Sequence, residues 1–184
     1  MNTDITKSIQ YIGVDDTNID LFESQYIVPN GISYNSYLIS ADKLAIMDTV
    51  DRRKADEWLS NLHTALQGRT PDYLVVQHLE PDHAGVIATV MEKYPSLRIV
   101  ASARAVQMLP QFFEDFDFEG RTISVAEGDT LDLGGRLLQF FMAPMVHWPE
   151  VMVTYDATDK VVFSRRTRWP GSSGTARSRL RSTL

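Results

Sequence analysis

The sequence contains no cysteine. That absence excludes disulfides, zinc–thiolate sites and cysteine-ligated clusters, and it fits a reducing compartment. Long apolar runs are missing too. None approaches the roughly 20 residues needed to cross a bilayer, and the start, Met1-Asn2-Thr3-Asp4-Ile5-Thr6-Lys7, has no apolar signal-peptide core. A soluble cytoplasmic protein is expected, with no membrane partner. What remains is an ordinary globular composition, 43% hydrophobic and 23% charged, long enough at 184 residues for one domain with a sizeable core.

Acid is absent from one stretch only. Residues 165–184 hold six arginines (165, 166, 168, 177, 179 and 181) and no carboxylate. Taking those six from the 18 basic residues leaves 12 against all 24 acids, so a body of charge −12 hides inside a net charge of −6. Such asymmetry can mark a nucleic-acid arm. Here the tail has no interleaved aromatics beyond Trp169, and an acidic body adjoins it, so nucleic acid is disfavoured as a partner.

The most informative stretch is His78-Leu79-Glu80-Pro81-Asp82-His83. Four side chains able to bind metal fall within six residues, directly after the apolar run Tyr73-Leu74-Val75-Val76. His147 lies in a second loop, Pro144-Met145-Val146-His147-Trp148-Pro149. Imidazoles and carboxylates without thiolate suit iron, manganese or zinc. In an extended loop His78, Glu80 and Asp82 share one side, and His83 reaches a second point. That division could serve two metals about 3.5–4 Å apart, bridged by a carboxylate. Pro81 stiffens the loop and holds Glu80 extended.

Around the motif, Ser36–Ile39 and Leu44–Met47 read as a hairpin turning at Ala41-Asp42-Lys43, and Pro29-Asn30-Gly31 as an earlier turn. Ala55, Trp58, Leu59, Leu62 and Leu66 recur at helical spacing after a capping Asp51, and Gly68 follows. Tyr73–Val76 and Leu97–Val100 read as strands, Val86–Met91 as a helix, and Ala103–Leu109 as a helix stopped at Pro110. Gly134-Gly135 marks a hairpin between Thr130–Leu133 and Arg136–Phe141, and Val151–Tyr155 pairs with Val161–Ser164. The order predicts an α/β (α+β) layered sandwich, two sheets face to face with helices outside, its two metal loops aimed at one edge.

The wording of these segments resembles the metallo-β-lactamase-like domain of the flavodiiron proteins (A-type flavoproteins). Hydrolases of that superfamily carry H-x-H-x-D-H, whereas Glu80 here makes H-x-E-x-D-H, the flavodiiron form. Phe22-Glu23-Ser24-Gln25-Tyr26, Ser33–Ile39, Met47-Asp48-Thr49-Val50-Asp51 and Pro144–Pro149 match as well, so the resemblance covers about residues 10–164. It implies an αββα sandwich. It also implies that His78, Glu80 and His147 bind one iron and that Asp82 and His83 bind the other. The implied reaction is reduction of dioxygen to water or of nitric oxide to nitrous oxide. Electrons would come from a rubredoxin-like or flavoprotein donor through FMN in a C-terminal flavodoxin-like domain, within a homodimer or tetramer. A glutamate in place of an imidazole adds negative charge and favours redox work over zinc hydrolysis.

The resemblance stops after Ser164. The family continues with Ala-Asp-Ala-Phe-Gly or a near variant, whose aspartate bridges the irons, whereas Arg165-Arg166-Thr167-Arg168-Trp169-Pro170 has no carboxylate. The expectation is therefore a partial di-iron domain over 1–164 whose sandwich and second iron position are incomplete. Residues 165–184 read as an out-of-frame tail, with a later histidine ligand and the FMN domain absent. A superfamily hydrolase and a non-catalytic remnant are the alternatives. Elsewhere, His63 reads as a surface histidine and Trp58 as core. Trp148 and Tyr26 read as either core or pocket wall, and Asp48 and Asp51 as caps. Glu150 reads as a hydrogen-bond partner for a ligand histidine.

Overall fold

The computed structural model describes residues 4–22 and 26–164. The segment 165–184, and with it the reading of an out-of-frame tail, lies outside the described residues. So do Glu23-Ser24-Gln25 and the side chain of Tyr26.

The strands are β1 (Ile9–Tyr11), β2 (Val14–Asp16), β3 (Leu21–Phe22), β4 (Tyr26–Ile27), β5 (Ile32–Tyr34), β6 (Tyr37–Ser40), β7 (Leu44–Met47), β8 (Tyr73–Val76), β9 (Arg98–Ser102), β10 (Thr122–Val125), β11 (Thr130–Asp132), β12 (Leu137–Met142), β13 (Met152–Asp156) and β14 (Val161–Phe163). The helices are α1 (Ala55–Leu66), α2 (Pro81–Ala84), α3 (Ile87–Lys93) and α4 (Ala103–Phe112). A six-stranded sheet runs β1-β6-β7-β8-β9-β10, and a four-stranded one runs β11-β12-β13-β14. Two small hairpin sheets, β2-β5 and β3-β4, flank them.

The sequence explains the layers. From β7 to β10 the pairing is parallel, and parallel neighbours need crossovers. Each crossover carries a helix. Trp58, Leu62 and Leu66 of α1, Ile87, Val90 and Met91 of α3, and Ala105 and Leu109 of α4 bury against Leu74, Val76, Ile99 and Ala101. The opposite residues of the same strands, Tyr73, Val75 and Val100, meet Leu138, Phe140, Met152 and Phe163 of the second sheet. Strands buried on both faces read as unbroken apolar runs, and β7 and β8 are buried at every position. The outer face of β12–β14 differs: Leu137, Phe141 and Val162 are exposed, and the described helices all pack on the first sheet.

Local signals set the joints. Asp51 accepts from the Arg53 amide and opens a 3₁₀ turn, Arg52–Lys54, that runs into α1. The helix ends at Gln67 and Gly68, both with left-handed φ. The Gly134-Gly135 turn docks on the β6–β7 turn. A Cβ on Gly134 would lie 2.4 Å from the Cβ of Asp42, and the Lys43 amide donates to Leu133 O at 2.8 Å. One expectation fails. The helix α4 does not stop at Pro110 but continues to Phe112, with Phe113 N bonding to Leu109 O. A proline late in a helix costs one hydrogen bond. Leu109 and Phe113, packed on the core either side of it, hold the last turn in place.

Candidate metal centre

The loops after β8 and β12 meet at one edge of the sandwich. The rings of His78 and His147 lie 5.3 Å apart between centroids, and His78 and His83 lie 5.7 Å apart. Ligand atoms of His78, Glu80 and His147 all fall within 4.8 Å of one another, a separation a single metal ion can span. The shared point is Glu80 Oε2, 2.9 Å from His78 Nε2 and 3.5 Å from His147 Nε2.

Asp82 is not on that side. The extended alternation expected for the loop ends at Glu80, because Pro81 begins α2 with Glu80 as its N-cap at ψ 141°. Proline is favoured at the first helical position, where its missing N–H is no loss. The turn leaves Asp82 outside that group and beside His83, with Asp82 Oδ2 3.5 Å from His83 Nε2. The motif thus divides into two donor groups, His78–Glu80–His147 and Asp82–His83.

Each buried imidazole lies between two carboxylates. His78 donates from Nδ1 to Glu150 Oε1 at 2.7 Å and turns Nε2 to Glu80. His83 faces Asp48 Oδ2 through Nδ1 at 3.5 Å and Asp82 through Nε2 at 3.5 Å. The ionised Glu150 favours the proton on His78 Nδ1, and both Nε2 atoms turn inward, to Glu80 and to Asp82. Glu150 and Asp48 are buried to 1% and 3% exposure, and Glu80 to 5%. Ionised carboxylates are costly to bury without compensating positive charge, so the arrangement suits a cation. The pKa shifts follow. For Glu150 burial opposes ionisation, but the hydrogen bonds from His78 and the Leu79 amide outweigh it and hold the carboxyl below its usual range. For His83 burial pushes the pKa down, but the neighbouring carboxylates of Asp48 and Asp82 outweigh it and raise it.

The supports come from distant segments. Ser102, the N-cap of α4, accepts from Ala105 N and donates to Glu150 O at 2.7 Å. Thr49 clamps α2, with both its amide and its hydroxyl donating to His83 O at 2.8 Å. Gly85 lets α2 close on the preceding loop, since a Cβ there would lie 2.5 Å from Arg52 N and 2.9 Å from Val50 O. Glu150 is the histidine partner expected for it. Asp51 is a cap, but Asp48 is not. It has left-handed backbone (φ 53°), accepts from Gln77 N at 2.7 Å and Gln77 Nε2 at 3.2 Å, and turns to His83. Strain of that kind persists only where surroundings impose it. Gln77 escaped the sequence reading altogether, because its partners are 29 and 77 residues away. Trp148 is half-buried and stands edge-on to His78 at 5.2 Å, which makes it wall to the metal loop; its other face meets Phe112 at 5.9 Å. His63 is exposed on α1, and Trp58 is fully buried.

Known proteins resemble this chain in sequence and fold. The family model described as "ODP family beta lactamase" matches residues 32–166. "Diflavin flavoprotein A 1" of Synechocystis is 38% identical over 87% of this chain and 28% of its own length. "Anaerobic nitric oxide reductase flavorubredoxin" of Vibrio vulnificus is 34% identical over 89% of this chain and 33% of its own length. The chain therefore spans about a third of those relatives. Among solved structures, the rubredoxin oxygen:oxidoreductase of Desulfovibrio gigas superposes with TM-score 0.83 at 33% identity, covering 88% of this chain and 40% of that one. The flavodiiron protein of Giardia intestinalis gives 0.82 at 27% identity, covering 89% and 39%. Among the described residues no helix is long and apolar enough to cross a membrane. With a family model matched over most of its described length, this chain belongs to the ODP beta-lactamase family and carries the metallo-β-lactamase-like domain of the flavodiiron proteins.

Proposed function

We propose that this chain supplies the di-iron domain of a cytoplasmic flavodiiron oxidoreductase that reduces dioxygen to water or nitric oxide to nitrous oxide. In this reading His78, Glu80 and His147 hold one iron and Asp82 and His83 hold the other. FMN and a rubredoxin-like or flavoprotein donor supply electrons, and the assembly is a homodimer or tetramer. The observation that carries the reading is the pair of buried histidines, each set between an outer carboxylate on Nδ1 and an inner carboxylate on Nε2. Nitrogen and oxygen donors without thiolate suit iron, which when bound supplies the redox chemistry. The chain's own residues do the rest. Glu150 and Asp48 orient the imidazoles, Glu80 adds negative charge at the first position, and Trp148 shields one side of His78. Glu80 also separates this reading from zinc hydrolysis, where that place is an imidazole.

The test is iron bound per chain after anaerobic loading of residues 1–184, in wild type and in His78→Ala and Glu80→Ala. Each substitution is expected to lower bound iron well below the wild-type value. Unchanged iron in either variant removes the assignment. Glu80→His should shift preference from iron toward zinc, and a variant that keeps full preference for iron would refute the charge argument.

A further inference from the structure

We propose that Gln77 is a positioning residue, holding the Asp48 carboxylate against His83 and tying both to the second sheet. The inference rests on the reading of His83 as a metal ligand. The position follows from strand periodicity. Tyr73 and Val75 of β8 point into the space between the two sheets, and Gln77 continues that row just beyond the strand. There the row changes from apolar to amide. Gln77 is buried to 3% exposure, and each of its polar groups has a partner. Its backbone N–H donates to Asp48 Oδ1 at 2.7 Å and its side-chain Nε2 donates to Asp48 Oδ2 at 3.2 Å. Its Oε1 accepts from Thr154 N at 3.0 Å, and its carbonyl accepts from Met152 N at 3.1 Å.

One residue therefore grips both oxygens of Asp48 and two amides of β13. Asp48 needs such a grip. It sits at left-handed φ past the end of β7, and its Oδ2 faces His83 Nδ1 at 3.5 Å, an ion-pair distance without hydrogen-bond geometry. A carboxylate free to turn would lose that contact first. Without Asp48 in place, either His83 nitrogen can carry the proton, and Nε2 is no longer kept as the inward acceptor. His78 has its own acid in Glu150, whereas the hydrogen bonds of Gln77 run to Asp48, Met152 and Thr154. The coupling is thus specific to His83.

Two variants separate positioning from a simple strut between the sheets. Gln77→Met keeps the length and removes both side-chain hydrogen bonds. Gln77→Glu keeps an oxygen for Thr154 N, removes the donor to Asp48 and sets a second carboxylate beside it. The measurement is the ¹⁵N spectrum of the imidazoles in the metal-free chain, 1–184, recorded at alkaline pH, with His83 assigned by His83→Gln. In wild type His83 should be the Nδ1–H tautomer. In both variants its Nδ1 resonance should shift toward the unprotonated position, while His78 stays put. An unshifted His83 in Gln77→Glu overturns the proposal, as does an equal shift of His78. If neither variant folds, Gln77 is a strut and the proposal is wrong. Because no metal is present, this outcome is independent of the iron count that tests the di-iron reading.

Discussion

The two loops that build the site are made differently. Residues 77–85, after β8, are held on every side. Glu150, Thr49 and Asp48 bond to them, Gly85 closes against backbone, and His78 and His83 are buried. Residues 144–149, after β12, stand out from the edge. Met145 is 73% exposed, Val146 50%, and the His147 side chain 49%. Yet Glu150, the residue that follows this exposed loop, is among the most deeply buried acids and reaches back to His78. One loop is therefore part of the core and carries stability as well as candidate ligands. The other offers His147 from an exposed position and sets Trp148 beside His78.

The largest expected effect comes from cutting the link between them. Glu150→Ala leaves the His78 Nδ1–H and the Leu79 N–H without their acceptor in a buried place. At roughly 1–3 kcal/mol for each unsatisfied group, the loss should be about 3 kcal/mol. The melting temperature should fall by several degrees, and metal affinity by about 10–100-fold. The pH dependence gives a second reading of the same contact. Glu150 has a folded pKa below its usual value, so its contribution is complete above the ordinary glutamate pKa and is lost as pH falls through the lower folded one. Glu150→Gln, which can still accept from both donors, should flatten that part of the acid limb in urea titrations of the metal-free chain. An unchanged limb would mean that the ionised carboxylate does not matter there.

Next is the packing of the buried loop on its neighbour. Gly85→Ala places a methyl against Arg52 N, Pro81 O and Val50 O, all backbone. None can rotate away, so α2 must shift, at about 1–3 kcal/mol. The shift carries Asp82 and His83 with it but not Glu80, which precedes the helix. Metal binding at Asp82–His83 should weaken more than at His78–Glu80–His147. Equal loss at both would show that the loop moves as one body.

This difference between the loops also sets how much of the molecule its sequence reveals. The stripe Ala55-Trp58-Leu59-Leu62-Leu66, the Gly134-Gly135 turn and the all-apolar β8 are local patterns, and each appears in the structure as read. The ligand-type residues were visible because they crowd into six positions. Their division was open to the eye as well. Pro81 is a helix start, and reading alternation through it misplaced Asp82. The supports were not legible by any local rule. Asp48 looks like a cap, and only the parallel pairing of Met47 with Val75 brings it beside Gln77. Gln77 in turn depends on where β13 falls against β8, a tertiary fact with no signature near residue 77.

The smallest effect on stability, and the sharpest test of the comparison, is His147→Ala. The side chain is half exposed, its neighbours Met145 and Val146 are in solvent, and its distance to Glu80 is 3.5 Å. An exposed residue away from the core should change stability by no more than about 0.5 kcal/mol. The ring nonetheless supplies one of the three candidate donors, with His78 and Glu80. Removing it should leave the melting curve of the metal-free chain unchanged while lowering iron bound at that position. His78→Ala, from the buried loop, should damage both, because Glu150 and Glu80 then face each other with no imidazole between them. The two variants together separate a ligand carried by the core from a ligand offered by an edge. If His147→Ala melts as early as His78→Ala, the outer loop is structural and the comparison fails. If it melts normally and keeps its iron, His147 is not a ligand.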